Sequence, residues 1–136
     1  MKNPKFRFWL ICTLLWLAFI FLQSSMSAQV SATESNSLLA LLNHFWPELT
    51  HDLLRQIAHF VEYFILGGCT VGMFFYTKSY KFSKPMLFSL MVAVADETLQ
   101  LYVEGRSSEL LDVWMDFGGA IVGGLIFWGI LHMRKK

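Results

Sequence analysis

Charge is scarce in this chain: 15% of its 136 residues are Asp, Glu, Lys or Arg, against 55% hydrophobic. A soluble domain carries about a quarter charged residues. The deficit therefore excludes an ordinary water-soluble globule and points to lipid surroundings. Acids are missing from whole stretches: none precedes Glu34, none lies between Glu62 and Asp96, and none follows Asp116. Cysteine is nearly absent. Cys12 and Cys69 are too few for a disulfide framework and both fall in apolar runs, where they read as small fillers. No internal repeat and no second domain can be separated, and no nucleic-acid partner is expected.

What is present is long apolar runs. Phe8–Leu22 is almost unbroken, and Ile57–Tyr76 is interrupted by His59 and Glu62. Pro85–Tyr102 is clean until Asp96, and Leu110–Leu131 is interrupted by Asp112 and Asp116. A spanning helix needs about 20 mainly apolar residues. The expected fold is an all-α membrane protein, a four-transmembrane-helix bundle forming one domain over 1–136 with helices at about 7–25, 54–77, 85–102 and 109–132.

The basic residues orient it. Lys2, Lys5 and Arg7 precede the first run, Lys78, Lys81 and Lys84 separate the second and third, and Arg134, Lys135 and Lys136 end the chain. Only Arg55 and Arg106 fall on the other side. The positive-inside rule then places both termini in the cytoplasm and residues 23–55 and 103–109 outside, in a multi-pass protein of the cell membrane. Every acid falls in the outer loops or the outer parts of helices. A basic start, an apolar run and Ser25-Met26-Ser27-Ala28 also resemble a secretory signal peptide. The run is long for one, and Met26 is large for the −3 position before a cut at Ala28, so an uncleaved helix is the preferred reading.

Between the first two runs, residues 27–36 are polar and Ser37–Trp46 turn apolar until Pro47. Ser37 is a plausible N-cap, and the stretch predicts an interfacial helix on the outer leaflet with Trp46 at headgroup depth. Lys84 leads into Pro85, a favoured first helical residue. Gly105 suits a tight turn, and Ser108 suits a cap for the last helix. Gly68 with Gly72, and Gly119 with Gly123, make small-xxx-small spacings for close packing, broadened by Gly118 and Gly124.

The charges inside the runs carry the functional signal, because a carboxylate at the centre of a spanning helix costs roughly 2.5–3.5 kcal/mol. Arg55, His59 and Glu62 stand at i, i+4 and i+7 and share a helical face. Asp96 and Gln100 share another, with Glu97 about a quarter-turn away. Asp112 and Asp116 share a third, which continues to Gly119 and Gly123. Gln23, Ser24 and Ser25 end the first helix on the same side. The prediction is one polar pocket opening outward. Glu62, Asp96, Glu97, Asp112 and Asp116 bring five acids against Arg55, Arg106 and, when protonated, His59. Such crowded carboxylates cannot all stay ionised, so protons or a cation must be shared. Arg106 suits bidentate pairing with Asp96 or Asp112, or a lipid phosphate. Glu104 and Glu109 read as solvated loop charges. His plus carboxylates can bind a metal, but no His-x-Glu-x-x-His-type pair is present, and no metal ligand or cofactor is assigned.

Along these residues the chain resembles the VanZ-like family of small bacterial membrane proteins. The matching pieces are Gln23-Ser24-Ser25, His59-Phe60-Val61-Glu62-Tyr63 with Leu66, and Asp96-Glu97-x-x-Gln100. They continue through Gly105-Arg106, Asp112-Val113, Asp116, Gly119 and Gly123. The family usually carries Ser-Ser-Gln after the first helix, whereas here Gln23 precedes the serines, and Asn where this chain has Asp116. The resemblance implies an integral membrane protein of a family whose named member is associated with low-level resistance to the glycopeptide teicoplanin, and it implies no settled reaction.

Two functions follow as expectations. In the first, the pocket recognises a lipid-linked cell-envelope headgroup or amphiphile among the membrane lipids. Arg55 and Arg106 hold an anionic group, while His59, Glu62, Asp96, Glu97 and Gln100, with Asp112, Asp116, Ser24 and Ser25, shape the site. In the second, the protein is an intramembrane enzyme using Asp96 and Glu97 as general acid and base, assisted by His59.

Overall fold

The computed structural model describes residues 3–44, 46–106 and 110–134. These form α1 (Pro4–Ser24), α2 (Ala28–Leu42), α3 (His51–Phe75), α4 (Ser83–Gln100) and α5 (Leu110–Met133), and no strand occurs among the described residues. Local chemistry sets the helix starts. Asn3 caps α1 by accepting from Lys5 N at 3.0 Å, with Pro4 at the first position, where its missing N–H costs nothing. Thr50 Oγ1 accepts from Leu53 N at 3.2 Å to cap α3, and Asp52 lies in its first turn, where a negative charge meets the positive end of the helix dipole. Pro85 falls within the first turn of α4, two residues after its start at Ser83. Gly105, with φ 75°, takes the left-handed turn between α4 and α5 that other residues rarely adopt. The cap expected at Ser108, and Glu109, Phe45, Lys2, Lys135 and Lys136, lie outside the described residues.

The loop helix differs from the prediction. It begins at Ala28 with Ser27 at its N-cap and stops at Leu42, so Ser37 is interior to it. Polar residues 29–36 are compatible with a helix once the chain is confined between two helix ends, and the apolar spacing alone did not reveal this. α2 is in light contact with α3.

Three helices, α1, α3 and α5, are long and apolar enough to cross a membrane. α4, the remaining expected span, is not among them: within its 18 residues it carries Lys84, Asp96 and Glu97. Its lipid-type surface is nonetheless present, since Leu87, Met91 and Val94 are exposed while Asp96 and Glu97 are buried. Similar exposed apolar rows occur on α1 (Ile11, Leu14, Leu15) and α5 (Val122, Leu125, Ile126). An apolar surface of this extent suits a lipid solvent.

α3 is the hub, with its largest interface against α5. A methyl group added at Gly119 would strike the Phe60 carbonyl, one at Gly123 the Phe64 carbonyl, and one at Gly67 the Ala120 backbone. The two backbones therefore touch, and the paired steps of four residues mean that α3 and α5 run parallel. The glycine pattern differs in part from the spacing prediction. Gly67 rather than Gly68 meets the α5 backbone, Gly72 seats the Trp9 ring of α1, and Gly118 has nothing within 4 Å. α4 returns between its parallel neighbours through short connections, and buried Thr70 and Ser89 share a hydrogen bond of 3.3 Å across α3 and α4. α1 is pinned to α3 by Trp16, whose Nε1 donates to the Glu62 carbonyl at 2.8 Å. Cys12 and Cys69 are half-buried and form no disulfide.

Candidate functional site

This arrangement brings the C-terminal ends of α1 and α4 to the same end of the bundle as the N-terminal ends of α3 and α5. The polar side chains of the apolar runs meet there. Asp96 and Asp116 are fully buried at 0% exposure, and Glu97 and Gln100 are almost so. The glycine seam explains how α3 and α5 contribute. With Gly119 against Phe60, His59 and Asp116 lie at one level, and His59 Nδ1 stands 3.7 Å from Asp116 Oδ1. One turn nearer the helix ends, Arg55 Nη2 stands 3.6 Å from Asp112 Oδ2. α4 inserts Asp96 beside them. One atom each of His59, Asp96 and Asp116 lies within 4.8 Å of the others.

Three neutral groups surround Asp96. Ser24 from α1, Tyr63 from α3 and Gln100 from its own helix all present polar atoms to its carboxylate. None closes a bond of regular geometry: Ser24 Oγ, Tyr63 OH, Gln100 Nε2 and both Asp96 oxygens are buried without a hydrogen-bond partner. A small rotation would let each donor reach the carboxylate, which has lone pairs to accept all of them. Glu62 is half-buried and within electrostatic reach of Asp96 and Arg106. A narrow cleft lined by Arg55, Gln56, His59, Asp112, Met115 and Asp116 lies beside the site.

The expected pocket residues are thus largely brought together, with two corrections. Arg106 does not pair with Asp96 or Asp112. Its Nη2 donates to the Gln23 carbonyl and its Nε to the Met26 carbonyl, both at 3.3 Å, and Arg55 is the partner of Asp112. The reason is chain-end chemistry: the Gln23 carbonyl, which also accepts from Met26 N at 3.2 Å, and the Met26 carbonyl just past α1 face Arg106, and a guanidinium fork bonds both at once. Burial pulls the Arg106 guanidinium below its ordinary value, Arg55 acts in the same sense, and Asp96, Glu62 and Glu97 oppose them. It remains a cation at any physiological pH. Ser25 is the second correction. It is exposed and its Oγ donates to the Phe21 carbonyl at 2.6 Å, so it finishes α1 rather than joining the site. Glu104 is exposed, as a solvated loop charge should be.

Tyr63 is the contributor that helical spacing could have found and did not. It follows His59 by four residues and so shares its face, but its aromatic body reads as core. The Gln23 and Met26 carbonyls that hold Arg106 are backbone groups and carry no side-chain signal in the sequence.

No curated protein and no solved structure matches the chain. A family model described as VanZ/LLP1 matches residues 8–132, which contain every element of the site. With three helices apolar enough for a bilayer and buried acids gathered at one end of the bundle, the chain is a membrane protein and belongs to the VanZ/LLP1 family.

Proposed function

We propose that this VanZ-like protein sits in the cell membrane with four spans and recognises a lipid-linked headgroup or amphiphile of the envelope in an outward-facing polar pocket. The observation that carries the reading is the buried group Ser24, Tyr63, Asp96 and Gln100, whose polar atoms converge without completing hydrogen bonds. Donors held just short of regular bonds around a buried carboxylate can turn to a polar ligand with little rearrangement, and the carboxylate keeps lone pairs for it. The same end of the bundle carries Arg55 and Arg106, both partly accessible, which suit an anionic headgroup, while hydroxyl or amine groups suit the carboxylates behind them. α4 counts as a span in this reading because Asp96 and Glu97 face the bundle and its lipid face is apolar. The basic connectors lie at the opposite end, so the positive-inside rule turns the pocket outward. Ser24 and the Gln23 carbonyl that Arg106 holds come from α1, so α1 contributes to the site in this reading.

A contribution to teicoplanin resistance follows if the occupant belongs to the envelope. The test expresses the wild type, Asp96→Asn and Glu97→Gln in a bacterial host. It compares protein level, teicoplanin susceptibility and retention of a polyprenyl phosphate by native mass spectrometry in detergent. The reading expects normal protein levels with lost retention and lost protection. Unchanged retention in both variants sinks it. Orientation is checked by external thiol labelling of cysteines placed at Ser35 and Ser79 in a chain lacking Cys12 and Cys69, where labelling at Ser79 overturns it.

A second reading, an intramembrane enzyme acting on such a substrate, draws on the approach of Asp96, Asp116 and His59 to one another. Two acids and an imidazole around one space can move protons at a bound group. Lost protection with retained protein and retained probe would favour it over simple binding.

A further inference from the structure

We infer that His59, Asp96 and Asp116 form a binding site for a divalent transition-metal cation, with zinc as the reference ion. Their ligand atoms come from α3, α4 and α5 and lie within 4.8 Å of one another. Around zinc, ligands at about 2.0–2.2 Å stand about 3.4 Å apart in a tetrahedron. His59 Nδ1 and Asp116 Oδ1 are already at 3.7 Å, and the Asp96 oxygen lies within 4.8 Å of both, so side-chain rotations that shorten these distances by up to about 1.4 Å complete the set.

Charge supports the same conclusion. Neither arginine at this end makes an ion pair with Asp96 or Asp116: Arg55 is 3.6 Å from Asp112, and Arg106 donates to the Gln23 and Met26 carbonyls. Two fully buried carboxylates therefore face one imidazole. Buried anions need compensation, and a dication balances this pair. The donor set selects among ions: one nitrogen and two carboxylates suit zinc or a neighbouring transition metal, whereas calcium takes about 6–8 oxygens.

The independent indication is the shell around Asp96. Tyr63 is 0% exposed, and Ser24 and Gln100 are each 1% exposed. Their polar atoms face Asp96 within reach of its carboxylate, although none closes a bond of regular geometry. Donors in this position orient a metal-bound carboxylate by holding its second oxygen. The narrow cleft lies beside His59 and Asp116, and three protein ligands leave a coordination position for an oxygen of water or of a bound headgroup. The site stands apart from the amphiphile reading, because it is probed with the metal alone.

The test uses the full-length protein in detergent, stripped with a chelator, reloaded with zinc and desalted. Metal content is then measured by mass spectrometry, and a parallel sample loaded with cobalt is read by visible absorption. The wild type should hold about one zinc per chain and give a cobalt ligand-field spectrum. Asp116→Asn and Asp96→Asn, checked as monodisperse, should lose stoichiometric zinc. Tyr63→Phe should weaken it by about 10–100-fold, and Glu104→Gln, an exposed acid at the same end, should match the wild type. A wild type without stoichiometric metal and without a cobalt spectrum overturns the proposal, whatever the variants do. Zinc retained in both aspartate variants does so too, by showing adventitious binding elsewhere. A failure here leaves polyprenyl phosphate retention, and so the proposed function, to be judged separately.

Discussion

Gly123→Ala is the sharpest single test of how the site is assembled. A methyl group at position 123 would collide with the carbonyl oxygen, carbonyl carbon and Cα of Phe64. All three atoms belong to a helix backbone, so no rotamer relieves the clash. α3 and α5 must separate by about 1.4 Å to restore a normal carbon–oxygen contact of about 3.3 Å. Overpacking of this kind costs about 1–3 kcal/mol, while replacing a helical glycine by alanine returns about 0.8–1 kcal/mol. The rigid neighbour puts the cost at the upper end of that range, and a net loss of up to about 2 kcal/mol is expected. Gly118→Ala is the matched control on the same helix: nothing lies within 4 Å of its added methyl. It should keep stability unchanged or raise it by up to about 1 kcal/mol. Thermal unfolding in one detergent, followed by helical circular dichroism, should rank the proteins Gly118→Ala, wild type, Gly123→Ala from high to low. Because Asp116 rides on the same helix two turns away, the Gly123 variant should also weaken binding at the polar end. Equal melting points for the two alanine variants would refute the backbone-contact argument.

Three further outcomes follow. Trp16→Phe removes the 2.8 Å bond to the Glu62 carbonyl and should cost about 0.5–1.5 kcal/mol, read as a lower melting point with unchanged helix content. Arg106→Lys replaces a fork on two carbonyls with a single point charge; it should increase protease cleavage near Met26 at the end of α1, and wild-type cleavage rates would contradict that anchoring role. Arg55→Gln breaks a long, partly exposed ion pair, so stability should change by less than about 1 kcal/mol. Its retention of polyprenyl phosphate should nevertheless fall in the native mass spectrometry assay, and full retention would remove Arg55 from the proposed headgroup site.

Much of the site was legible because helical periodicity and bilayer energetics act locally. Asp96 with Gln100, Asp112 with Asp116, and Arg55 with His59 each share a face by spacing alone. A buried acid in an apolar run advertises itself. The Gly119 and Gly123 seam was also readable, since close helix approach demands small residues four apart. Partner choice was not readable. Arg106 could meet Asp96, Asp112 or a phosphate on charge grounds, and the Gln23 and Met26 carbonyls at and just past the end of α1 took it instead. Tyr63 was hidden because an aromatic beside Leu66 looks like core until its hydroxyl is seen facing Asp96.

By itself, then, the sequence determined a membrane protein of apolar helices, the faces on which its polar residues stand, and their common end, because these depend only on residue type and a fixed helical repeat. Only the tertiary structure decided that His59, Asp96 and Asp116 converge while Ser25 turns away. That outcome rests on backbone contact at Gly119, Gly123 and Gly67, which sets the rotation and depth of α3 against α5. Rotation about a helix axis leaves periodicity untouched, so no reading of spacing along one chain could have supplied it.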